Sequence, residues 1–333
     1  MGGPGVPPCD GSGWMHCAFR AIPALVELRV LCLSSSASMA SRALGSLGRA
    51  PIKKRYTLCK TAMTEDRKDQ LENEALPGDV VETSVEIETP DGTCDAAFLH
   101  PKTGSHPGVL FWTDAFGLRP SMREMARRLA AEGYSVLVPN PFYRVAKAPH
   151  LEPASFNFQN PADRAKLQPL MESVTAPGNA EKDAAQYVAF LDAQKEVDQE
   201  RKIGTQGYCM GGALVVKTAA AVPNRIGAGA SFHGGGLVTD KPDSPHLLAP
   251  KIRAHMYFGV ASNDDARQPD AKDKLKEAFA AAGVPAEIEV YPGALHGWCV
   301  PDMAPQNGAP VYSQPDAERA WGKLAALYKR ALA

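Results

Sequence analysis

From residue 80 onward, short apolar segments typical of strands alternate with amphipathic segments that have the periodicity of helices. Strands that alternate with helices of about 10 to 15 residues form βαβ units, in which the strands run parallel. The first two predicted strands, Val80–Glu88 and Cys94–His100, are instead separated by Asp91-Gly92, a dipeptide typical of a hairpin turn. The pattern therefore predicts an α/β fold with a doubly wound, mostly parallel sheet and antiparallel strands at one edge.

The order of these segments predicts one domain that extends from residue 65 to residue 333. Residues 141–178 are rich in proline, asparagine and other polar residues, and we expect them to form an excursion, with one helix near 163–172, that caps the site. Further strands are expected at 109–112, 134–139, 202–207, 226–232, 253–259 and 286–291, and further helices at 119–132, 179–195, 211–222, 270–282 and 316–332.

Residues 1–64 differ in composition from the rest of the chain. They hold eight lysines and arginines against two acidic residues, Asp10 and Glu27, and they are rich in serine, although the whole chain has a net charge of −1. This composition is typical of an organellar transit peptide, and an unstructured leader ahead of a start at Met39 or Met63 is the alternative. We expect a cytoplasmic protein, or a mitochondrial or plastid one if residues 1–64 are a targeting signal.

The composition disfavours two classes of partner. The near-neutral charge argues against a nucleic acid, because binding to nucleic acid usually needs a basic face. No uninterrupted apolar run approaches the roughly 18 to 20 residues that cross a bilayer, which argues against a membrane-spanning protein. The sequence leaves the oligomeric state open.

The motif that carries chemistry is Gly207-Tyr208-Cys209-Met210-Gly211-Gly212, which lies between a predicted strand and a predicted helix. A nucleophile between two glycines at such a position is typical of a nucleophile elbow, because the turn is too tight for side chains at the glycines. The helix N-terminus also favours a thiolate. A buried structural cysteine is the alternative. The other six cysteines have no paired spacing, so no disulfide framework or metal site is predicted.

An elbow nucleophile needs an acid and then a histidine, each on a loop after a later strand. Asn263-Asp264-Asp265 and His296 hold these two positions. His233 opens a glycine-rich segment that resembles an oxyanion loop, but it follows the nucleophile, whereas an oxyanion loop precedes it. We therefore expect His233 to lie in a tight turn after a strand.

The oxyanion hole of an elbow enzyme uses the backbone N–H after the nucleophile and a second N–H from the loop after the third strand. Met210 and Ala115 hold these positions. In the same loop, Asp114 would place a carboxylate near the thiol. A role for Asp114 as a helix N-cap is the alternative.

Together these residues resemble the dienelactone hydrolase family, a cysteine branch of the α/β-hydrolases, over residues 80–331. The elbow is accompanied by an acid-x-Phe-Gly turn, a Pro-x-Pro-x-Tyr-Arg segment, Ala-Pro-Lys-Ile, Tyr-Pro-Gly, His-Gly and a C-terminal Ala-x-x-Ala-Trp helix. In this order the additional motifs occupy residues 114–117, 139–144, 249–252, 291–293, 296–297 and 317–321.

The resemblance implies a triad of Cys209, His296 and Asp264, with Asp264 preferred to Asp265, that opens a small lactone or activated ester through a thioester. It implies no metal and no organic cofactor. It also implies that Asp114, one methylene shorter than the family's glutamate, contacts and restrains the resting thiol.

The sequence departs from the family at one position that concerns the substrate. Family members that open dienelactone hold its carboxylate with arginines, one of them a few residues after the catalytic histidine. Here Val300 and Pro301 stand in that place, and the next arginine is Arg319. The resemblance therefore extends to ester or lactone hydrolysis and not to dienelactone itself.

Two other functions remain as alternatives. In a non-hydrolytic protein of the same fold, Cys209 would serve in binding or as a reversibly oxidised thiol. Asp264 and His296 argue against this alternative, because a redox sensor needs neither in that arrangement. A peptidase is disfavoured, because a thiolate leaves more readily than an amine unless the amine is well protonated.

The composition of residues 1–64 generates a prediction. A chain that begins at Met63 is expected to fold and to retain its kcat/KM, because the leader lacks the apolar periodicity of a packed element. Thermal unfolding and ester hydrolysis of the shortened and full-length chains would test this. A fall in Tm of more than about 5 °C would show that the leader packs on the domain.

Overall fold

The computed structural model describes residues 79–306 and 308–333, so the predicted leader lies outside the described residues. Within these residues, eight strands form one sheet. In chain order the strands are β1 (Val80–Thr89), β2 (Gly92–Pro101), β3 (Gly108–Trp112), β4 (Ser135–Pro139), β5 (Ile203–Tyr208), β6 (Ile226–Phe232), β7 (His255–Ala261) and β8 (Ala286–Tyr291).

The strand order across the sheet is β1-β2-β4-β3-β5-β6-β7-β8. The β1–β2 and β2–β4 pairs are antiparallel, and the other five pairs are parallel. Both antiparallel pairs lie at one edge, and the first is the hairpin at Asp91-Gly92. The prediction of a doubly wound, mostly parallel sheet with antiparallel strands at one edge is confirmed.

Seven α-helices accompany the described strands. They are α1 (Pro120–Ala131), α2 (Pro161–Thr175), α3 (Asn179–Asp192), α4 (Met210–Ala221), α5 (Ser262–Arg267), α6 (Ala271–Ala281) and α7 (Gln314–Ala331), with 3₁₀ turns at Pro153–Ser155 and Pro245–Lys251. None of the helices within this described part of the chain is long and apolar enough to cross a membrane.

The sheet is covered on both faces. Residues of α2, α3, α4 and α6 form one apolar cluster, and residues of α1 and α7 form the other. Along β3, Leu110 and Trp112 belong to the first cluster, whereas Val109 and Phe111 belong to the second. Strands that bury both faces read as continuous apolar runs, which is why β3 could be recognised from four residues.

The strand order brings the parts of the site together. The chain leaves β3 for α1 and β4 on one side, and β5 then pairs with the other side of β3, with Trp112 opposite Gly207. The carboxyl ends of β3 and β5 therefore open side by side, at the point where an open α/β sheet binds ligands. The loop after β3 and the turn after β5 both lie at this edge.

Two glycines in the turn after β5 are required by close backbone contacts. A Cβ on Gly207 would lie 2.2 Å from the carbonyl oxygen of Gly211, and a Cβ on Gly211 would lie 2.6 Å from the carbonyl oxygen of Thr113. Helix α4 thus starts directly against the ends of β5 and β3.

The structure corrects one local expectation. Asn263, Asp264 and Asp265 were expected in a loop after β7, but they lie in the short helix α5. A helix of six residues has room for little apolar periodicity, and none of its residues is buried. In the excursion at 141–178, helix α2 contains the expected 163–172 segment and is longer at both ends. Phe156 of this excursion contacts Phe116 in the loop after β3, with ring centroids 5.4 Å apart.

Candidate active site at the carboxyl edge of the sheet

Cys209 lies between the end of β5 and the first residue of α4, in a strained backbone conformation. Its φ is 54° and its ψ is −115°, and positive φ is unfavourable for a residue with a side chain. The backbone N–H of Cys209 donates to the carbonyl oxygen of Phe232 at 3.1 Å, and its carbonyl oxygen accepts from Gly235 at 3.1 Å. This is the geometry of a nucleophile elbow, with the cysteine half-buried at the sheet edge.

His296 and Asp264 form a hydrogen-bonded pair. His296 Nδ1 lies 2.6 Å from Asp264 Oδ2, and the side chain of His296 is 25 % exposed. Asn263 Oδ1 accepts the backbone N–H of His296 at 2.9 Å, and the backbone N–H and Oγ of Ser262 both donate to the carbonyl oxygen of Ala294 at 2.9 Å. Helix α5 therefore fixes the loop that carries the histidine as well as the imidazole itself.

The His296 imidazole also interacts with the Cys209 thiol. Burial by itself lowers the pKa of His296, but the charge and hydrogen bond of Cys209 and those of Asp264 outweigh burial and raise the pKa to about 10. At neutral pH the imidazole consequently holds a proton between a sulfur and a carboxylate. Such a pair can supply a nucleophilic thiolate and a proton donor together.

The structure distinguishes the two candidate acids. Asp265 Oδ1 pairs with Lys272 Nζ at 2.8 Å, whereas Asp264 faces His296. The three predicted triad residues are thus brought together although they are far apart in the sequence.

The two expected oxyanion donors lie where the strand order places them. Met210 is the first residue of α4, and Ala115 is buried in the loop after β3. Neither backbone N–H is used in the hydrogen bonds described for this part of the chain. Their assignment to an oxyanion hole stays a prediction.

Asp114 has a different partner from the one expected. Arg119 Nη1 and Nη2 donate to its two carboxylate oxygens at 2.7 and 2.9 Å, and the backbone N–H of Phe116 donates to Oδ1 at 2.9 Å. None of its described hydrogen bonds goes to Cys209. The alternative role as a helix N-cap is wrong, because the residue at the N-cap of α1 is Arg119. Asp114 is instead the acidic half of a buried ion pair.

Arg119 also binds a second carboxylate and so forms a bridge, here called the Arg119 bridge, from Asp114 to Asp302. Its Nε and Nη2 donate to Asp302 at 2.7 and 2.8 Å. Burial opposes the charge on Arg119, but its hydrogen bonds to the two carboxylates outweigh burial and raise its pKa. The bridge joins the loop after β3 to the segment that follows His296. Sequence reasoning missed it, because no local pattern relates two residues 183 positions apart.

His233 is a further residue near the site. It was expected in a tight turn, and it does lie directly after β6 with a positive φ of 40°. In addition, its ring lies against His296, with centroids 5.0 Å apart, and its Nδ1 accepts the backbone N–H of Cys209 at 3.1 Å. The one available signal was a histidine, rather than a glycine, at the first position of a glycine-rich turn.

Among the described residues, no group of three or more histidine, cysteine, aspartate and glutamate side chains is arranged to hold a metal ion. The site is built from a thiol, an imidazole, a carboxylate and backbone N–H groups.

A doubly wound sheet with a cysteine elbow after β5, an acid after β7 and a histidine after β8 defines an α/β-hydrolase. The model of the dienelactone hydrolase family matches residues 94–332, and the chain belongs to this family. It is a hydrolase of esters or lactones.

Individual proteins are similar to this chain in sequence or in fold. A carboxymethylenebutenolidase of Rhodococcus opacus is 26% identical over 254 residues, which cover 75% of this chain and 92% of the relative. A solved structure named m3DLH is 23% identical with a TM-score of 0.64, over 77% of this chain and all of that one. An acylaminoacyl peptidase of Pyrococcus horikoshii, 16% identical with a TM-score of 0.56, shares the fold over 79% of this chain and 44% of its own.

The contact between Asp264 and His296 predicts unequal effects of two neighbouring substitutions. Asp264→Asn is expected to lower kcat by up to about 10⁴-fold, because the amide favours the wrong imidazole tautomer. Since Asp264 raises the pKa of His296, its loss should also move the alkaline limb of the pH–rate profile to lower pH.

Asp265→Asn is the matched control, because its partner is Lys272, and it should keep kcat within about threefold of the unsubstituted enzyme. Steady-state kinetics from pH 6 to pH 11 would test both variants. If Asp265→Asn lost most of its kcat and Asp264→Asn kept it, the acid that pairs with His296 would be Asp265.

The Arg119 bridge changes what is expected of Asp114. Asp114→Asn should lower the free energy of unfolding by about 3 kcal/mol, because it leaves a buried guanidinium with one carboxylate in place of two. The alkylation rate of Cys209 should change little, because Arg119 already neutralises the carboxylate. Asp302→Asn, at the more exposed end of the bridge, should cost less stability. Unchanged stability with faster alkylation would instead support restraint of the thiol.

Proposed function

We propose that the chain hydrolyses a small lactone or activated ester through a thioester on Cys209. The observation that carries the proposal is the continuous contact from the Cys209 thiol to the His296 imidazole and the Asp264 carboxylate. The strained elbow presents the sulfur at the sheet edge, and the carboxylate selects the imidazole tautomer that faces the sulfur.

In the acylation half-reaction, the thiolate of Cys209 attacks the carbonyl carbon and forms a carbon–sulfur bond. The carbonyl oxygen becomes an oxyanion, for which the N–H groups of Met210 and Ala115 are the proposed donors. Collapse of this intermediate breaks the carbon–oxygen bond, and the alkoxide takes the proton held by His296. A lactone remains attached as a ring-opened thioester, whereas an ester releases its alcohol.

In the deacylation half-reaction, His296 is neutral and accepts a proton from water as the water attacks the thioester. The carbon–sulfur bond breaks, the acid is released, and the thiolate again faces an imidazolium. Asp264 holds both the charged and the neutral form of the imidazole in place, because it accepts from Nδ1 in both half-reactions. The cycle consumes one water and needs no other reactant.

The contacts of Arg119 rule it out as a group that holds a substrate carboxylate. Its five hydrogen bonds, to Asp114, Asp302 and the carbonyl oxygen of Gly117, equal the five N–H donors of a guanidinium. This arginine therefore has no donor left for a substrate carboxylate. The Rhodococcus opacus relative is named for a carboxymethylenebutenolide, a lactone that bears a carboxylate, and this name supports the lactone class for this chain. If this chain also takes a charged lactone, a group other than Arg119 must hold the carboxylate.

The alternative functions receive less support. The shared fold of the acylaminoacyl peptidase concerns architecture alone, and a thiolate is a better leaving group than an unprotonated amine. A redox or binding role for Cys209 does not explain why Asp264 and Asn263 both hold the histidine that faces the thiol.

The thioester mechanism predicts a covalent intermediate. With p-nitrophenyl acetate, a rapidly quenched sample should carry one acetyl group on the peptide that contains Cys209, removable by neutral hydroxylamine. Cys209→Ala should lower hydrolysis of this ester and of dihydrocoumarin by at least about 10³-fold.

The matched control is Cys299→Ala, because Cys299 is buried and lies outside the triad. It should keep both the intermediate and the turnover. Hydrolysis by Cys209→Ala at the unsubstituted rate, with no acetylated peptide, would rule out this nucleophile.

A further inference from the structure

His233 lies where three parts of the site meet. It follows the last residue of β6, it is 1% exposed, and its backbone N–H donates to the carbonyl oxygen of Gly259 in β7 at 2.7 Å. Its side chain is directed to the Cys209 backbone and to the ring of His296. Neither the proposed acylation nor the deacylation assigns it a role.

The hydrogen bond from Cys209 determines the tautomer of His233. Because the backbone N–H of Cys209 donates to Nδ1, this nitrogen carries a lone pair, and the proton of the neutral ring is on Nε2. Nε2 is buried and has no hydrogen-bond partner among the described residues. A buried donor without an acceptor is unfavourable, and so is a non-glycine residue at positive φ.

Other residues at position 233 would avoid these two unfavourable features. Glycine would suit the backbone at φ 40°, and phenylalanine would fill the space of the ring without an unpaired N–H. What neither provides is an acceptor for the N–H of the nucleophile. The imidazole is therefore best explained by its Nδ1.

The groups around the ring keep this acceptor available. His296 approaches from the loop after β8, Tyr208 from β5 with centroids 6.0 Å apart, and Trp298 with centroids 5.1 Å apart. Burial, and then the charge of His296, hold the pKa of His233 well below its ordinary value. Protonation thus remains on His296, and Nδ1 of His233 stays an acceptor beside it.

We propose that His233 is a positioning residue for the catalytic pair, in which Nδ1 holds the backbone N–H of Cys209 and the ring packs against His296. The carbonyl oxygen of Phe232 shares the same N–H at 3.1 Å. With both acceptors the N–H of the strained turn is held by two groups, so that the sulfur stays within reach of the imidazole. The effect on turnover rests on the proposed function, whereas the effect on thiol reactivity does not.

Three substitutions separate the contacts of this side chain. His233→Asn keeps an acceptor at the position of Nδ1 and tolerates positive φ, but removes the ring. His233→Phe keeps a ring and removes the acceptor, and His233→Ala removes both. His100→Ala is the control for loss of a buried histidine, because His100 lies in β2, three strands away from β5.

The main measurement is the rate at which iodoacetamide alkylates the peptide that contains Cys209, followed by mass spectrometry from pH 5 to pH 10. This readout distinguishes Cys209 from the other cysteines and does not require a substrate. Hydrolysis of p-nitrophenyl acetate gives kcat and KM, and thermal unfolding gives Tm for each variant.

We expect His233→Ala and His233→Phe to alkylate at least about fivefold more slowly at pH 7, with the half-maximal rate moved to higher pH. Their kcat should fall by a similar factor with KM within about twofold. His233→Asn should regain most of the alkylation rate. His100→Ala should lose Tm without a change in the alkylation profile.

The opposite results would overturn the proposal. If His233→Phe and His233→Ala lose only Tm and keep the unsubstituted alkylation profile, His233 is a packing residue. If His233→Phe is normal and His233→Asn is as slow as His233→Ala, the ring and not Nδ1 is responsible. Failure of the hydrolysis assay in the unsubstituted protein, with these alkylation differences intact, would contradict the proposed function alone.

Discussion

The close backbone contact at the turn from β5 into α4 is the constraint on which the rest of the site depends. Gly207 and Gly211 allow the helix to start against the ends of β5 and β3, and the turn leaves Cys209 at positive φ. That conformation persists because β5 is paired on both sides and the flanking carbonyl and N–H groups of the turn are hydrogen-bonded. A chain that lost this packing would relax the turn and withdraw the sulfur from the sheet edge.

Polar contacts between loops then set the geometry around the sulfur. The Asp264–His296 pair joins the segments after β7 and β8, and the Arg119 bridge joins the loop after β3 to the segment beyond the histidine. His233 connects the end of β6 to both Cys209 and His296. Each strand end that borders the site is thus tied to another, which limits the motion of the side chains at the site.

The elements that could be predicted from the sequence are those whose patterns are local. Buried parallel strands appear as apolar runs, and long surface helices show a 3.6-residue period, so β3 and α7 were found within two residues of their observed ends. Helix α5 could not be found in this way, because its six residues contain polar groups and bury none of them. The βαβ pattern predicted the class of sheet but not the order of its strands. The position of β3 between β4 and β5 is known only from the structure.

The sequence by itself indicated the tight turn around Cys209 and made Cys209 the candidate nucleophile, because the steric requirement for glycine acts within six consecutive residues. It also determined the order of acid and histidine, since both follow predicted strands. The family resemblance had already preferred Asp264 to Asp265, and the structure places Asp264 against His296 and Asp265 against Lys272. Only the tertiary structure revealed that Asp114 pairs with Arg119 and that His233 reaches the elbow. These pairings depend on which side chains from distant segments meet at the same edge of the sheet, where each buried polar group needs a hydrogen-bond partner.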